Sequence, residues 1–385
     1  MFTVNKEKII ALRREIHEYP EVDFDLPKTV SLIKRELDTI GVPHTEEYGD
    51  GSVVAYINPE KEGFTIALRA DTDALKITEK TGLEFSSKNE GMMHACGHDA
   101  HTAILIGTAQ VLKSLEDRIN CRVKLLFQPS EEGMKSGAKM MVENGVLDDV
   151  DVILGLHVEN SLKTGTLGVC KGPSQASSRH FQIDIFGKSA HAALPHTGID
   201  ALAAAVRVYN DVQLMLSREI NPFEKYLCSI GKLEAGTSHN VVADHAMIKG
   251  TIRTFNMDVD KFIIERIEKI VKNVTEEIGA TYTIHAPLKS LCLDNDCRIA
   301  DLLIESMKKA VGEQNVFDFP PKLSSEDFSL YLPHVPGVFF RLGTGNEEKG
   351  CTTNAHNNDF MIDEDSFEYG VRAFVQFVLD NMNGI

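Results

Sequence analysis

The sequence predicts an α/β protein, a mixed-sheet α/β domain interrupted by an inserted ferredoxin-like α+β domain. Three observations carry this. Strands and helices alternate on both sides of the middle of the chain, and the strands are nearly continuous apolar runs, as in a sheet covered on both faces. Between about 181 and 285 the pattern changes to strand, helix, two strands, helix, strand, the split βαβ arrangement of a ferredoxin-like module. Groups able to bind a metal occur before and after that stretch. The first domain is therefore expected to be discontinuous, 1–175 plus 291–385, with the insert at 176–290.

The elements follow in order. Ile9, Ile10, Leu12 and Ile16 recur at helical spacing, so a helix spans about 6–18 until Pro20 ends it. Pro27 suits a first helical turn and Gly41 a stop, which gives a second helix to Ile40. Apolar runs bounded by turn residues predict strands at 52–57, 65–71, 123–127 and 152–156, alternating with helices at about 100–115 and 137–144. In the insert, strand 181–186 alternates polar and apolar residues. Helix 201–216, strands 226–233 and 246–254, helix 258–277 and strand 281–285 come next. Helix 299–311, strand 337–342 and helix 364–379 return to the first pattern.

Bulk properties narrow the function by exclusion. The 385 residues are 43% hydrophobic and 25% charged, as in an ordinary soluble globular protein. With 40 basic and 57 acidic residues the net charge is −17, which argues against a surface for nucleic acid or anionic membrane. The seven cysteines are odd in number and scattered, so they read as reduced thiols and a cytoplasmic protein is expected. The first residues lack the apolar segment of a signal peptide, and no run is long enough to span a bilayer.

The densest chemistry lies in His94-Ala95-Cys96-Gly97-His98-Asp99-Ala100-His101-Thr102. A thiolate beside an imidazole suits zinc, and imidazole also suits other first-row metals. Cys96 and His98 are the first candidates for ligands. His94 and His101 read as polar residues of the loop and the helix start. Four more segments lie at strand ends or in the loops between elements. Asp71 closes strand 65–71, where a carboxylate can orient a ligating imidazole. Glu131 and Glu132 follow strand 123–127. Such a pair is ordinarily a solvated surface. Directly after an apolar strand, between Pro129 and Gly133, it offers one carboxylate as ligand and one as general base. His157 alone at the end of a buried strand reads as a core residue, but the other segments are one ligand short. His356, before the last helix, supplies a final imidazole.

These blocks, in this order, resemble the co-catalytic metal amidohydrolases and carboxypeptidases that include hippurate hydrolase, N-acyl-amino-acid amidohydrolases, indole-acetyl-amino-acid hydrolases and N-acetyldiaminopimelate deacetylase. The resemblance runs from Leu12–Glu21 through Leu68–Leu75, His94–His98, Pro129–Gly133 and Gly155–Val158. It continues through Gly187–Ala193 and Gly250–Phe255 to Ser325–Phe328 and His356. It implies a catalytic domain of the phosphorylase/hydrolase-like zinc exopeptidase type and an insert acting as lid and dimerisation domain. It also implies two divalent metal ions (zinc, manganese, nickel or cobalt) held by Cys96, His98, Glu132, His157 and His356, with Cys96 as the bridge. Glu131 is then the general base and Asp71 supports the ligands. His191 stabilises the oxyanion, and Asn240 and Arg253 bind the substrate carboxylate, for which an arginine fork is suited. The implied activity is hydrolysis of the amide of an N-acyl L-amino acid, a small molecule, by a homodimer, with a tetramer as the other arrangement. A dipeptidase or carboxypeptidase using the same two-metal chemistry is the alternative, and a non-catalytic metal-binding relative the third reading. Pro173–Arg179, Ala243, Ser324 and Asn358 depart from the usual pattern and bear on the substrate side chain rather than on the reaction.

Overall fold

A computed structural model describes residues 2–385. The chain divides into two compact units. One comprises Met1–Ser174, Asp294–Pro321 and Asp327–Ile385, and the other Gln175–Leu293 with Lys322–Glu326.

The first unit is built on an eight-stranded sheet. Its order is His44–Thr45, Val53–Ile57, Arg122–Gln128, Thr65–Asp71, Val152–Lys163, Gly337–Gly345, Leu167–Val169, Val316–Asp318. Thr65–Asp71 runs parallel to both neighbours, and Val152–Lys163 runs parallel to Gly337–Gly345. Parallel neighbours end on the same edge, which is where an open α/β sheet forms its crevice. All seven residues of Thr65–Asp71 are buried, so the apolar run follows from coverage on both faces.

Helices cover this sheet. Lys6–His17 starts at Asn5, whose side chain accepts from the Lys8 N–H at 3.1 Å. Its buried face is Ile9, Leu12, Arg13, Ile16 and His17, so the helical spacing carries two polar residues inward with three apolar ones. Pro27–Ile40 ends at Gly41 with φ +69°, a left-handed stop. His98–Ser114 buries 14 of its 17 residues, as befits a helix packed on every side.

The expected mixed α/β architecture is present, with three local differences. Strand Val152–Lys163 continues past 156, because Glu159–Lys163 still pair beside the end of Gly337–Gly345 although their polarity hides it. Leu167–Val169 and Val316–Asp318 are too short to show periodicity. The last helix begins at Phe367, after a 3₁₀ turn over Glu364–Ser366 that the Asp363 side chain caps at the Asp365 N–H.

The second unit has the strand order Tyr226–Ala235, His245–Thr254, Ser178–Phe186, Thr281–His285, all antiparallel. With helices Ala201–Arg218 and Met257–Ile278 this is the ferredoxin-like connection. The helices pack on one face, where Phe181, Ile183, Ile185, Ala246, Ile248 and Ile252 meet Val208, Val212, Ile263, Ile267 and Val271. Lys322–Glu326 joins this unit through the Ala176 N–H, which donates to the carbonyls of Lys322 (3.2 Å) and Ser324 (3.0 Å). Among the described residues no helix is long and apolar enough to cross a membrane.

Close packing beside the strand ends gives a stability prediction. A Cβ at Gly137 would lie 1.8 Å from the Pro129 carbonyl oxygen, whereas one at Gly231 would meet nothing within 4 Å. Gly137→Ala should lower the unfolding free energy by about 1–3 kcal/mol through overpacking. Gly231→Ala should stay within about 0.5 kcal/mol of the parent. Urea unfolding followed by circular dichroism measures both.

Candidate metal centre

Three segments and two strands converge in the first unit. Gly97 turns the chain into helix His98–Ser114 with φ +89°, and a Cβ there would sit 2.5 Å from Val158 Cγ2, so only glycine fits. Ser130 (φ +50°) and His356 (φ +67°) are held in left-handed backbone, a conformation that costs a side-chain-bearing residue energy and needs surrounding support. For His356 part of that support is its N–H, which donates to the Ala95 carbonyl at 2.7 Å.

Of five donor groups among the described residues, two contain Cys96. Cys96, His98 and His157 form one, and Cys96, Glu132 and His356 the other. Within each, the candidate ligand atoms lie within 4.8 Å of one another, and Cys96 is common to both. Cys96 Sγ is 3.3 Å from His157 Nε2, and His356 Nε2 is 2.9 Å from Glu132 Oε1. The tautomers suit ligation. His157 Nδ1 donates to the Val158 carbonyl at 2.7 Å and His98 Nδ1 to the Asp73 carbonyl at 2.9 Å, which makes Nε2 the ligating nitrogen of each ring once that ring is neutral. His98 Nε2 is buried without a hydrogen-bond partner. Burial and the neighbouring Glu132 push the Cys96 thiol well up, so a thiolate here needs a cation beside it.

Glu131 belongs to neither group, yet its carboxylate lies within 4.8 Å of the donors of His98 and Glu132. It is buried, and its Oε1 accepts the Asp327 N–H at 3.3 Å. His157 is not at a strand end, as expected, but inside Val152–Lys163, opposite Arg341 of the neighbouring strand. Asp71 accepts from His101 Nδ1 at 2.5 Å and pairs with Arg69 at 2.6 Å, and its Oδ2 is 3.7 Å from His98 Nε2. Burial opposes ionisation of Asp71, but Arg69, His98 and His101 outweigh it and hold the carboxyl well below its usual range. His101 Nε2 accepts the Val158 N–H at 3.0 Å, so this imidazole braces the strand that carries His157.

Sequence reasoning gave no role to several residues that build this site. Arg69 is fully buried and reaches Gln128 (2.8 Å), Asp71 and Asp327 (2.9 Å). Asp73 accepts the N–H groups of both Glu131 and Glu132. Behind the histidine loop, Asp99 pairs with Arg13 and His17, each at 2.7 Å. Burial disfavours the Asp99 carboxylate, yet Arg13 and His17 hold its pKa far below normal. Burial pushes His94 down to about 3, so it is a neutral ring in this layer. The signal available was the inward spacing of Arg13 and His17 on the first helix.

The remaining expected residues lie in the second unit. His191 and Asn240 are brought together by a two-stranded ribbon, in which the Ala192 N–H donates to the Asn240 carbonyl at 3.0 Å and His191 faces Val241. Both side chains are exposed. Arg253 is half-buried on strand His245–Thr254. It donates to Thr251 Oγ1 and to the Ile252 carbonyl, and among the described residues no carboxylate pairs with it.

Known proteins are similar to this chain in sequence and fold. A profile described as Peptidase family M20/M25/M40 matches residues 67–380. The chain is 39% identical over 365 residues to N-acetyl-L-cysteine deacetylase of Bacillus subtilis, covering 93% of this chain and 84% of that one. It is 37% identical over 369 residues to thermostable carboxypeptidase 1 of Saccharolobus solfataricus, covering 95% and 93%. Among solved structures, Bacillus subtilis YXEP, described as a dinuclear metal binding peptidase, superposes with a TM-score of 0.83 at 31% identity, covering 99% of each chain.

The layer behind the site should be costly to break. Arg13→Met leaves the buried Asp99 carboxylate without its guanidinium, and removing one partner of a buried ion pair costs about 3–5 kcal/mol. Equilibrium denaturation should show a loss of that size, and a loss under about 1 kcal/mol would place Arg13 among ordinary surface pairs.

Proposed function

Because the chain belongs to peptidase family M20/M25/M40 and is a hydrolase of that family, we propose that it hydrolyses the amide bond of N-acyl L-amino acids, releasing a carboxylic acid and a free amino acid. The observation that carries this reading is the pair of donor groups sharing Cys96, with Glu131 beside them and in neither. The deacetylase relative supports an acyl-amino-acid substrate.

The residues fit two divalent ions. Five donors of mixed sulfur, nitrogen and oxygen type converge, two imidazoles have Nδ1 on a backbone carbonyl, and burial pushes the Cys96 thiol well up. Cys96, His98 and His157 would hold one ion, and Cys96, Glu132 and His356 the other. The thiolate favours zinc over magnesium or calcium, with manganese, nickel and cobalt as the other candidates. When bound, two such ions supply Lewis acidity toward the scissile carbonyl and toward water.

The chain's own residues do the rest. Glu131 takes a proton from the attacking water and delivers it to the leaving nitrogen as the C–N bond breaks. The Asp327 N–H keeps one of its oxygens in place. His191 donates to the oxygen that gains charge. Arg253, a cation without a carboxylate of its own, pairs with the substrate carboxylate, assisted by Asn240. Carboxypeptidase action is the second reading, supported by the Saccharolobus relative, and differs only in the acyl side of the substrate.

The second unit is proposed as lid and dimerisation domain. Strand Tyr226–Ala235 is a sheet edge that exposes Leu227 and Leu233, and helix Ala201–Arg218 exposes Leu202, Val206, Tyr209 and Leu214. An uncovered edge beside an apolar helix face suits a second copy of the chain. The odd number and scattered spacing of the seven cysteines support a reducing, cytoplasmic setting.

Two measurements test these readings. Glu131→Gln should retain metal but lose about 100- to 10,000-fold in kcat. Steady-state assays of N-acetyl and N-benzoyl amino acids against dipeptides, with each metal restored to stripped protein, decide activity and substrate class together. Near-normal turnover of Glu131→Gln removes the base, and cleavage of dipeptides alone reverses the two readings. Leu214→Glu should convert a dimer to a monomer in sedimentation velocity, and a parent that sediments as a monomer removes the dimer.

A further inference from the structure

Of the proposed ligands His356 alone is exposed. Cys96 and His98 are 7% and 1% exposed, whereas the His356 side chain is 55% exposed. It stands on Thr353–Met361, a segment with no helix or strand of its own. Midway along it, the His356 N–H donates to the Ala95 carbonyl at 2.7 Å, and the Asn358 carbonyl accepts the Lys80 N–H at 2.7 Å. The two ends are gathered by one side chain from elsewhere. Asn160 Nδ2 donates to the Thr353 carbonyl at 2.7 Å and to the Met361 carbonyl at 2.8 Å. Its Oδ1 accepts the hydroxyl of the buried Thr344 at 2.7 Å. A carbonyl only accepts, so the NH₂ must face the loop and the oxygen must face Thr344.

We propose that Asn160 is the clasp of the His356 loop, a positioning residue that sets the strength of the second donor group and leaves the first alone. The proposal rests on the two-ion reading above. Asn160 lies where strand Val152–Lys163 slips against its neighbour, since Glu159 pairs with Gly343 but Lys163 with Gly345. Such an irregularity re-aims a side chain out of the ladder. It also needs a glycine opposite, because a Cβ at Gly345 would lie 2.2 Å from the Asn160 carbonyl oxygen. His356 is held at φ +67°, a conformation that surrounding contacts must enforce. With its ends released, the loop presents that conformation for a smaller fraction of the time, and apparent affinity falls by the same fraction. The first group does not depend on this clasp. His98 opens a buried helix, and His157 pairs with Arg341 inside the sheet and has the next residue's N–H on His101.

The test is Asn160→Leu in the full chain, which keeps the approximate shape and adds no charge. Zinc is returned to stripped protein against chromophoric chelators of graded affinity, so that two binding steps are resolved. His356→Ala marks the step that belongs to the second group. In Asn160→Leu that same step is expected to weaken about 10- to 100-fold, while the other stays within about threefold of the parent. Both steps unchanged, both weakened alike, or a loss confined to the step that His356→Ala spares overturns the proposal. Weakening of both is what a general loosening of the fold gives. If Asn160→Leu fails to fold, Thr344→Val decides, because it leaves Asn160 in place without the hydroxyl that orients it. The marked step should then weaken by about threefold or more, and no change overturns the clasp. A parent chain that takes up fewer than two zinc ions overturns the two-ion reading and the clasp together. A parent that takes up two but hydrolyses no acyl-amino acid sinks the proposed activity alone, and Asn160 is then judged on zinc.

Discussion

The buried guanidinium of Arg69 is the contact on which the first unit's crevice depends. Its three nitrogens reach Gln128, Asp71 and Asp327, which belong to two strand ends and to the turn before the last sheet strand. A guanidinium without solvent costs several kcal/mol unless its hydrogen bonds are met. The three segments are therefore held to one geometry or none. Neighbouring Gly155 has no side chain, and the rings of Phe328 and Phe339 pack close to where one would be. Those same rings lie about 6 Å from the guanidinium carbon, giving the cation an aromatic wall. Charge is thus placed where water is absent, with each of the three nitrogens hydrogen-bonded.

A second charged layer lies behind the first. Arg13 and His17 from the opening helix meet Asp99, the residue after His98. The Asp99 Oδ1 also accepts the Ala100 N–H at 2.9 Å, so the start of the central helix is fixed by a carboxylate neutralised from the other side. The histidine loop is therefore clamped at its rear, while its front presents thiol and imidazole. Rigidity of this kind is what a ligand set needs, because an error of 1 Å in placing a donor is a large fraction of a bond length.

Much of this was legible in the sequence, for identifiable reasons. The helices were visible because Ile9, Leu12 and Ile16, or Pro27 and Gly41, carry periodicity and stop signals in their side chains. The ferredoxin-like unit was visible because its strands are half-exposed and alternate. The donor residues were visible as types: a cysteine, three imidazoles and a carboxylate are rare enough to stand out. Less visible was anything carried by the backbone. The N–H groups of Glu131 and Glu132 turning to Asp73, the carbonyl of Val158 orienting His157, and the left-handed turns at Ser130 and His356 leave no mark in composition. Arg69 looked like one basic residue in an apolar strand, and only the fold shows that three acceptors await it. Strand Val152–Lys163 was underestimated for the opposite reason, since polar side chains concealed a pairing that continues through a register shift.

The two donor groups that share Cys96 also differ in when the ribosome delivers them. The first, Cys96 with His98 and His157, has its last member at position 157, before any of the second unit is made. The second, Cys96 with Glu132 and His356, waits for nearly the whole chain. Strand Gly337–Gly345, which pairs along the His157 strand, arrives late as well. A nascent chain therefore carries a thiol and two imidazoles in need of a partner for most of its synthesis, while the sheet that will fix them is still one central strand short. Closing the sheet over so long a separation is the slow kind of contact formation.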